Sequence, residues 1–147
     1  ALFTIATVFL AGCSSVPMEN DATANLAKEF NAPSANNAGL YLYRDSFVGK
    51  ALKKDILVDG KCIGETADAV FFYEEVAGDE EHKISTESEF SPNDLLLFVE
   101  SGKNYFIRQY IKIGVFVGGA NLESVSEEQG KAAVKPLGMA KKGTCST

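Results

Sequence analysis

After Gly39 apolar and polar positions alternate with a period of two, the pattern of half-buried strands. Leu40-Tyr41-Leu42-Tyr43 sets both leucines on one face and both tyrosines on the other. Residues 56–63 read as a tight hairpin, because Asp59-Gly60 tolerates the positive φ of a type I′ turn. Residues 70–73 predict a strand, Ala77-Gly78-Asp79 a turn, and residues 82–86 a further strand. The run 94–100 (DLLLFVE) is nearly continuous in apolar residues and predicts a central strand of a packed sheet. Residues 105–113 and 122–125 add two more. Ser126-Glu127-Glu128 predicts a single helical turn that Gly130 ends. Seven or eight short strands between turns predict an all-β fold, an antiparallel β-sandwich. No segment holds a 3.6-residue period for three turns, and no internal repeat is visible.

The N-terminus follows a different pattern. Residues 1–12 (ALFTIATVFLAG) carry no charge, the length of a signal-peptide h-region and short of the roughly 18 residues of a membrane span. No Met or basic n-region precedes Ala1, as expected if the start of the signal is missing. Leu10-Ala11-Gly12-Cys13 resembles a bacterial lipobox. The resemblance implies cleavage before Cys13, lipidation of its thiol and acylation (palmitate) of the new amine, which would anchor the chain to a membrane without a transmembrane helix. Ser14, where Asp would signal inner-membrane retention, implies the outer membrane facing the periplasm. Residues 13–37 then read as lipidated cysteine and polar tether, with Asp21 capping a short helix that bears Leu26 and Phe30 and stops at Pro33. The sandwich spans 38–134, and 135–147 form a C-terminal tail.

Charge narrows the chemistry. Fourteen Lys and Arg against twenty Asp and Glu give the 147-residue chain a net charge of -6, which argues against nucleic acid. His82 is the single histidine, so metal sites built from several imidazoles are excluded. Ser85, Thr86 and Ser88 lie near it in sequence, but strand alternation does not converge them on it, and there is no G-x-S-x-G elbow. A Cys62–His82 dyad has no local signature. Cys62 and Cys145 fit either a disulfide closing a loop of about 80 residues or two separate thiols, one in a strand and one near the chain end. The acidic turns 79–81 and 127–128 lack the alternating ligand ladder of a calcium loop and read as solvated. Gly114 and Gly118-Gly119 lack the Lys-Ser/Thr of a P-loop and read as a hairpin loop.

What remains is surface. Phe106, Arg108, Tyr110 and Lys112 share one face of a strand, opposite Tyr105, Ile107, Ile111 and Ile113, which read as core. Aromatics mixed with cations suit a protein interface or sugar stacking, and also ordinary strand decoration. Val115-Phe116-Val117 is a second candidate contact.

An ordered string carries a family resemblance: Tyr41-Leu42-Tyr43-Arg44, Val58-Asp59-Gly60-Lys61, Ile63-Gly64, Phe71-Phe72, Gly78, His82, Gly102-Lys103-Asn104-Tyr105-Phe106 and Arg108-Gln109. With the lipobox in front, it resembles the bacterial lipoproteins grouped as domain of unknown function 2846, over residues 16–134. The resemblance implies an immunoglobulin-like or transthyretin-like sandwich on the envelope, with no established activity. Ala77 stands where a short Pro-Gly turn is expected before the histidine, and 79–81 lengthen that turn. The expected function is a non-enzymatic, lipid-anchored binding or assembly module with a membrane, envelope-protein or saccharide partner and no cofactor or metal. The alternatives are a small periplasmic hydrolase or thiol enzyme using His82, and a purely structural subunit of an envelope complex.

Overall fold

A computed structural model describes residues 15–46, 48–88, 90–113 and 118–146. Cys13 and residues 115–117 lie outside them. The order of elements is α1 (Asp21–Ala27), β1 (Asn37–Arg44), β2 (Lys54–Val58), β3 (Lys61–Thr66), β4 (Val70–Ala77), β5 (Glu80–Thr86), β6 (Asn93–Val99), β7 (Asn104–Ile113), β8 (Gly118–Val125), α2 (Glu127–Val134) and β9 (Gly138–Met139). Two sheets form a sandwich: β8-β7-β1-β4-β9 faces β3-β2-β5-β6. The all-β expectation holds, although β1 runs parallel to β7 and β4 parallel to β9. An immunoglobulin sandwich keeps its first two strands in one sheet. Here β1 and β2 lie in opposite sheets, which favours the transthyretin-like alternative.

The alternation in β1 builds two apolar layers rather than one. Leu40 and Leu42 point between the sheets and pack with Ile56, Ile63, Phe72, Ile84 and Ile107. Tyr41 and Tyr43 point to the other face, where Phe71, Phe106, Val134 and Leu137 form a second cluster. Two helices roof part of that outer layer. Gly130 is inside α2 and does not end it, because its missing Cβ lets the helix sit directly on the Phe106 ring. Ser126 accepts the amide of Gln129 at 3.1 Å and caps this helix. In α1 the cap is Asn20, which accepts from Thr23 at 2.8 Å. That helix ends at Ala27, before Pro33, and leaves Leu26 exposed.

Inside the sandwich a polar chain links the sheets. The Gln109 amide nitrogen donates to Thr86 Oγ1 at 2.8 Å, and Thr86 donates on to the Asp55 carbonyl at 2.8 Å. Thr66 Oγ1 lies 2.5 Å from Gln109 Oε1. The three side chains are fully enclosed and each has partners, as burial of polar groups requires. Arg44, also enclosed, donates to the carbonyls of Leu52 and Gly49 at 2.7 and 2.8 Å and so fixes the loop after β1.

Residues 16–19 and 138–146 are both drawn into this frame. Met18 bridges Ala140, Glu19 donates to Met139 and Lys141 donates to Pro17, so the segment read as tether adds to the edge of β9. The segment read as a tail supplies β9 and then crosses to β3, where Gly143 donates to the Ile63 carbonyl at 2.8 Å. A disulfide joins Cys62 to Cys145 with their Cα atoms 6.1 Å apart.

The run 94–100 corrects its expectation. It forms β6, which pairs with β5 alone and lies at the edge of the four-stranded sheet. Leu95, Leu97 and Val99 face the core, while Leu96 and Phe98 on the opposite face are 61% and 57% exposed. A continuous apolar run marks either a strand covered on both faces or one left uncovered, and here it is the second.

Candidate functional site

On β7 the four residues singled out for a surface do share a face, but they do not form one patch. Phe106 is buried: it stacks on Tyr41 at 4.9 Å, meets the edge of Phe30 at 5.7 Å and lies under α2. Its expected role as an exposed contact is corrected by this roof, which strand alternation could not show. Arg108 is half-buried, with Nε 2.8 Å from Asp45 Oδ1 and Nη1 3.2 Å from Glu123 Oε1. Its guanidinium also lies 5.5 Å from the Tyr110 ring. Its charge is therefore satisfied within the domain. The Tyr110 hydroxyl accepts from Asn121 at 3.0 Å, which leaves Lys112 as the exposed member. A sequence signal for the roof was present in the aromatic positions Tyr41, Tyr43 and Phe71, which share this face.

His82 is buried on the inward face of β5. Its Nδ1 lies 2.5 Å from Asp59 Oδ2 and its Nε2 lies 2.7 Å from the Ala77 carbonyl, with Glu80 Oε1 at 3.6 Å. Both near partners are acceptors, so the ring satisfies both only as an imidazolium that donates through both nitrogens. Burial opposes that charge, but the hydrogen bonds to Asp59 and Ala77 and the fields of Asp59 and Glu80 outweigh it and raise the pKa. For Asp59, some desolvation is outweighed by hydrogen bonds from His82 and the Lys83 amide, and its pKa is lowered. The effect is a clamp. It holds the β2–β3 turn, where Asp59 and Gly60 both have positive φ, against β5 and the end of β4.

That geometry bears on chemistry. With both imidazole nitrogens held, neither faces a hydroxyl or thiol. Thr86 is bound into the polar chain between the sheets, Ser85 points to the other face of β5, and Cys62 is oxidised to a disulfide. The Asp79 carboxylate accepts from the Ser101 amide and hydroxyl at 3.1 and 2.9 Å, and Glu127 pairs with Lys131 at 2.7 Å. Asp79 lies at positive φ in the lengthened turn. Beside the clamp a cleft is lined by Val58, Lys61, Glu74 and Val76.

The feature that strand reading missed is the outer edge of β6. Its pairing with β5 is unbroken from Asn93 to Val99. Among the described residues, no strand pairs with its other side; at its start the Asn93 side chain donates to the Ala120 carbonyl of β8 at 2.7 Å.

The family described as "Protein of unknown function (DUF2846)" matches residues 34–120, from just before β1 into β8. A relative from Haemophilus influenzae, described as "Uncharacterized protein", is 61% identical over 133 residues, which cover 90% of this chain and 79% of that one. No solved structure matches the chain. The matched segment contains seven of the strands, the His82 clamp and the β6 edge, and the chain belongs to this family of unknown function, domain of unknown function 2846.

Proposed function

We propose that this domain is a lipid-anchored envelope protein that acts by binding or assembly and not by catalysis. The anchor reading rests on Leu10-Ala11-Gly12-Cys13 at the end of an uncharged run. In the fold, Val16 packs on the core and Pro17 is hydrogen bonded to Lys141. Two residues lie between Cys13 and Val16, so an acylated Cys13 would hold the sandwich within about 11 Å of its attachment point. Ser14 favours the outer membrane, facing the periplasm.

The observation that carries the binding reading is the bare apolar edge of β6, since monomers rarely leave such an edge uncovered. The engaged state of His82 supports the same view, because a general base needs a nitrogen within reach of a substrate proton. Metabolic palmitate labelling tests the anchor: wild type gives a labelled band and Cys13→Ser gives none. Equal labelling of both contradicts it. For the second half, His82→Ala should leave recovery of envelope partners intact in a folded protein. Loss of the cellular function with the fold intact would return the hydrolase reading to the front.

A further inference from the structure

The apolar stretch of β6 runs from Leu95 to Val99 and is bracketed by acids, Asp94 before it and Glu100 after it. No Pro, Lys or Gly interrupts it, and its register with β5 has no bulge. These are the devices that normally keep an edge strand from pairing. Across the sheet from Phe98 lies Glu81, another exposed acid, and across from Leu96 lies Lys83. Lys103 is held by Glu100.

Building on the binding-module reading, we infer that the outer edge of β6 is a docking strand for an extended segment of a partner protein, apolar over about five residues and bracketed by Lys or Arg. The added strand would lie about 4.8 Å beyond β6 and extend the sheet to five strands, with backbone hydrogen bonds giving affinity. Its side chains on one face meet Leu96 and Phe98, and those on the other complete the cover over Leu95 and Leu97. Its cations meet Asp94 and compete with Lys103 for Glu100.

Charge decides against a second copy as the occupant. An antiparallel pairing of two β6 strands centred on Leu97 aligns all five apolar residues, but it sets Asp94 opposite Glu100 of the other copy at both ends. Like charges directly opposite are destabilising, and each chain already carries -6. The same brackets that repel a copy attract a basic segment.

The test uses a synthetic probe, Ser-Lys-Val-Ile-Val-Ile-Val-Lys-Ser, titrated into the detergent-solubilised acylated protein while backbone amide resonances are followed. Saturable shifts centred on residues 93–99 are expected. Replacing both lysines of the probe by Glu should weaken binding at least tenfold, and a central Pro should abolish it. In the double variant Asp94→Lys, Glu100→Lys the preference between Lys and Glu probes should reverse. Shifts centred elsewhere, indifference to probe charge, or dimerisation through β6 in sedimentation would each overturn the docking strand. The parent reading fails separately: an envelope partner recovered through another face would leave it standing, whereas catalytic turnover by the purified protein would not.

Discussion

The two edges of the four-stranded sheet, β3 and β6, are treated in opposite ways. At β3 the register slips between Ile56 and Leu57, the C-terminal segment lies alongside, and a disulfide fixes it there. Ser146 adds to the closure by donating its amide to both Asp55 carboxylate oxygens at 2.9 and 3.1 Å and its hydroxyl at 2.7 Å. At β6 the strand is straight and its outward side chains are Leu96 and Phe98. A chain that spends a disulfide and its last residues on one edge could have blunted the other with a single Lys or Pro. Closing β3 serves stability, whereas β6 is left open at the edge where the proposed partner strand would lie.

Stability should follow that division. The largest effect is expected at β3: Cys62→Ser with Cys145→Ser releases a crosslink spanning 83 residues and should cost about 2–5 kcal/mol, read as a drop in the denaturant midpoint. Reduction of the wild type should match it. Next comes the inward face of β6. Leu97→Asp puts a charge against the main core and should cost about 2–3 kcal/mol by the same measurement, with a change at Phe98 costing far less.

The His82 clamp should be smaller, because Asp59 is half exposed. His82→Ala should cost about 1–2 kcal/mol near pH 6. Its pH dependence has a definite sign. The raised pKa of His82 means that its contribution is complete below its unfolded value and is lost as pH rises through the folded value. Lowered Asp59 loses its contribution as pH falls through its own folded pKa. Thermal midpoints of wild type should therefore decline as pH rises from 6 through the raised folded pKa of His82, and His82→Ala should flatten that decline. The smallest effect is expected at the outward face of β6, where Leu96→Lys with Phe98→Lys should move stability by no more than about 0.5 kcal/mol. The same change should abolish binding of the Lys-bracketed probe.

Much of this was legible in the chain and some was not. Alternation from Leu40 onward gave the strands, and Asp59-Gly60 gave the hairpin turn, because both signals are local. The position of β6 at an edge depends on which strand comes to lie beside it. Periodicity does not carry that, so DLLLFVE read as a central strand. Phe106 failed as a surface residue for a related reason, since the helix that covers it arrives some twenty residues later and docks through Gly130. Gly130 itself read as a helix stop when its role is close approach. Gln109 joins Thr66 and Thr86 across the sheets, and strand spacing alone gives no hint that a polar side chain will be paired there. His82 could be read as the single imidazole. Its partners Asp59 and Ala77 emerge only from the way the β2–β3 turn folds onto β5.

Amide hydrogen exchange, resolved residue by residue on the oxidised and then the reduced protein, tests the contrast between the edges most directly. In the oxidised state the account predicts rapid exchange for the outward-facing amides of β6 and slow exchange along β3 and the segment lying on it. Reduction should accelerate β3 and leave β6 unchanged. Protection of the outward β6 amides equal to that of β3 in the isolated protein would contradict it, since that edge would then be covered and not open to a partner.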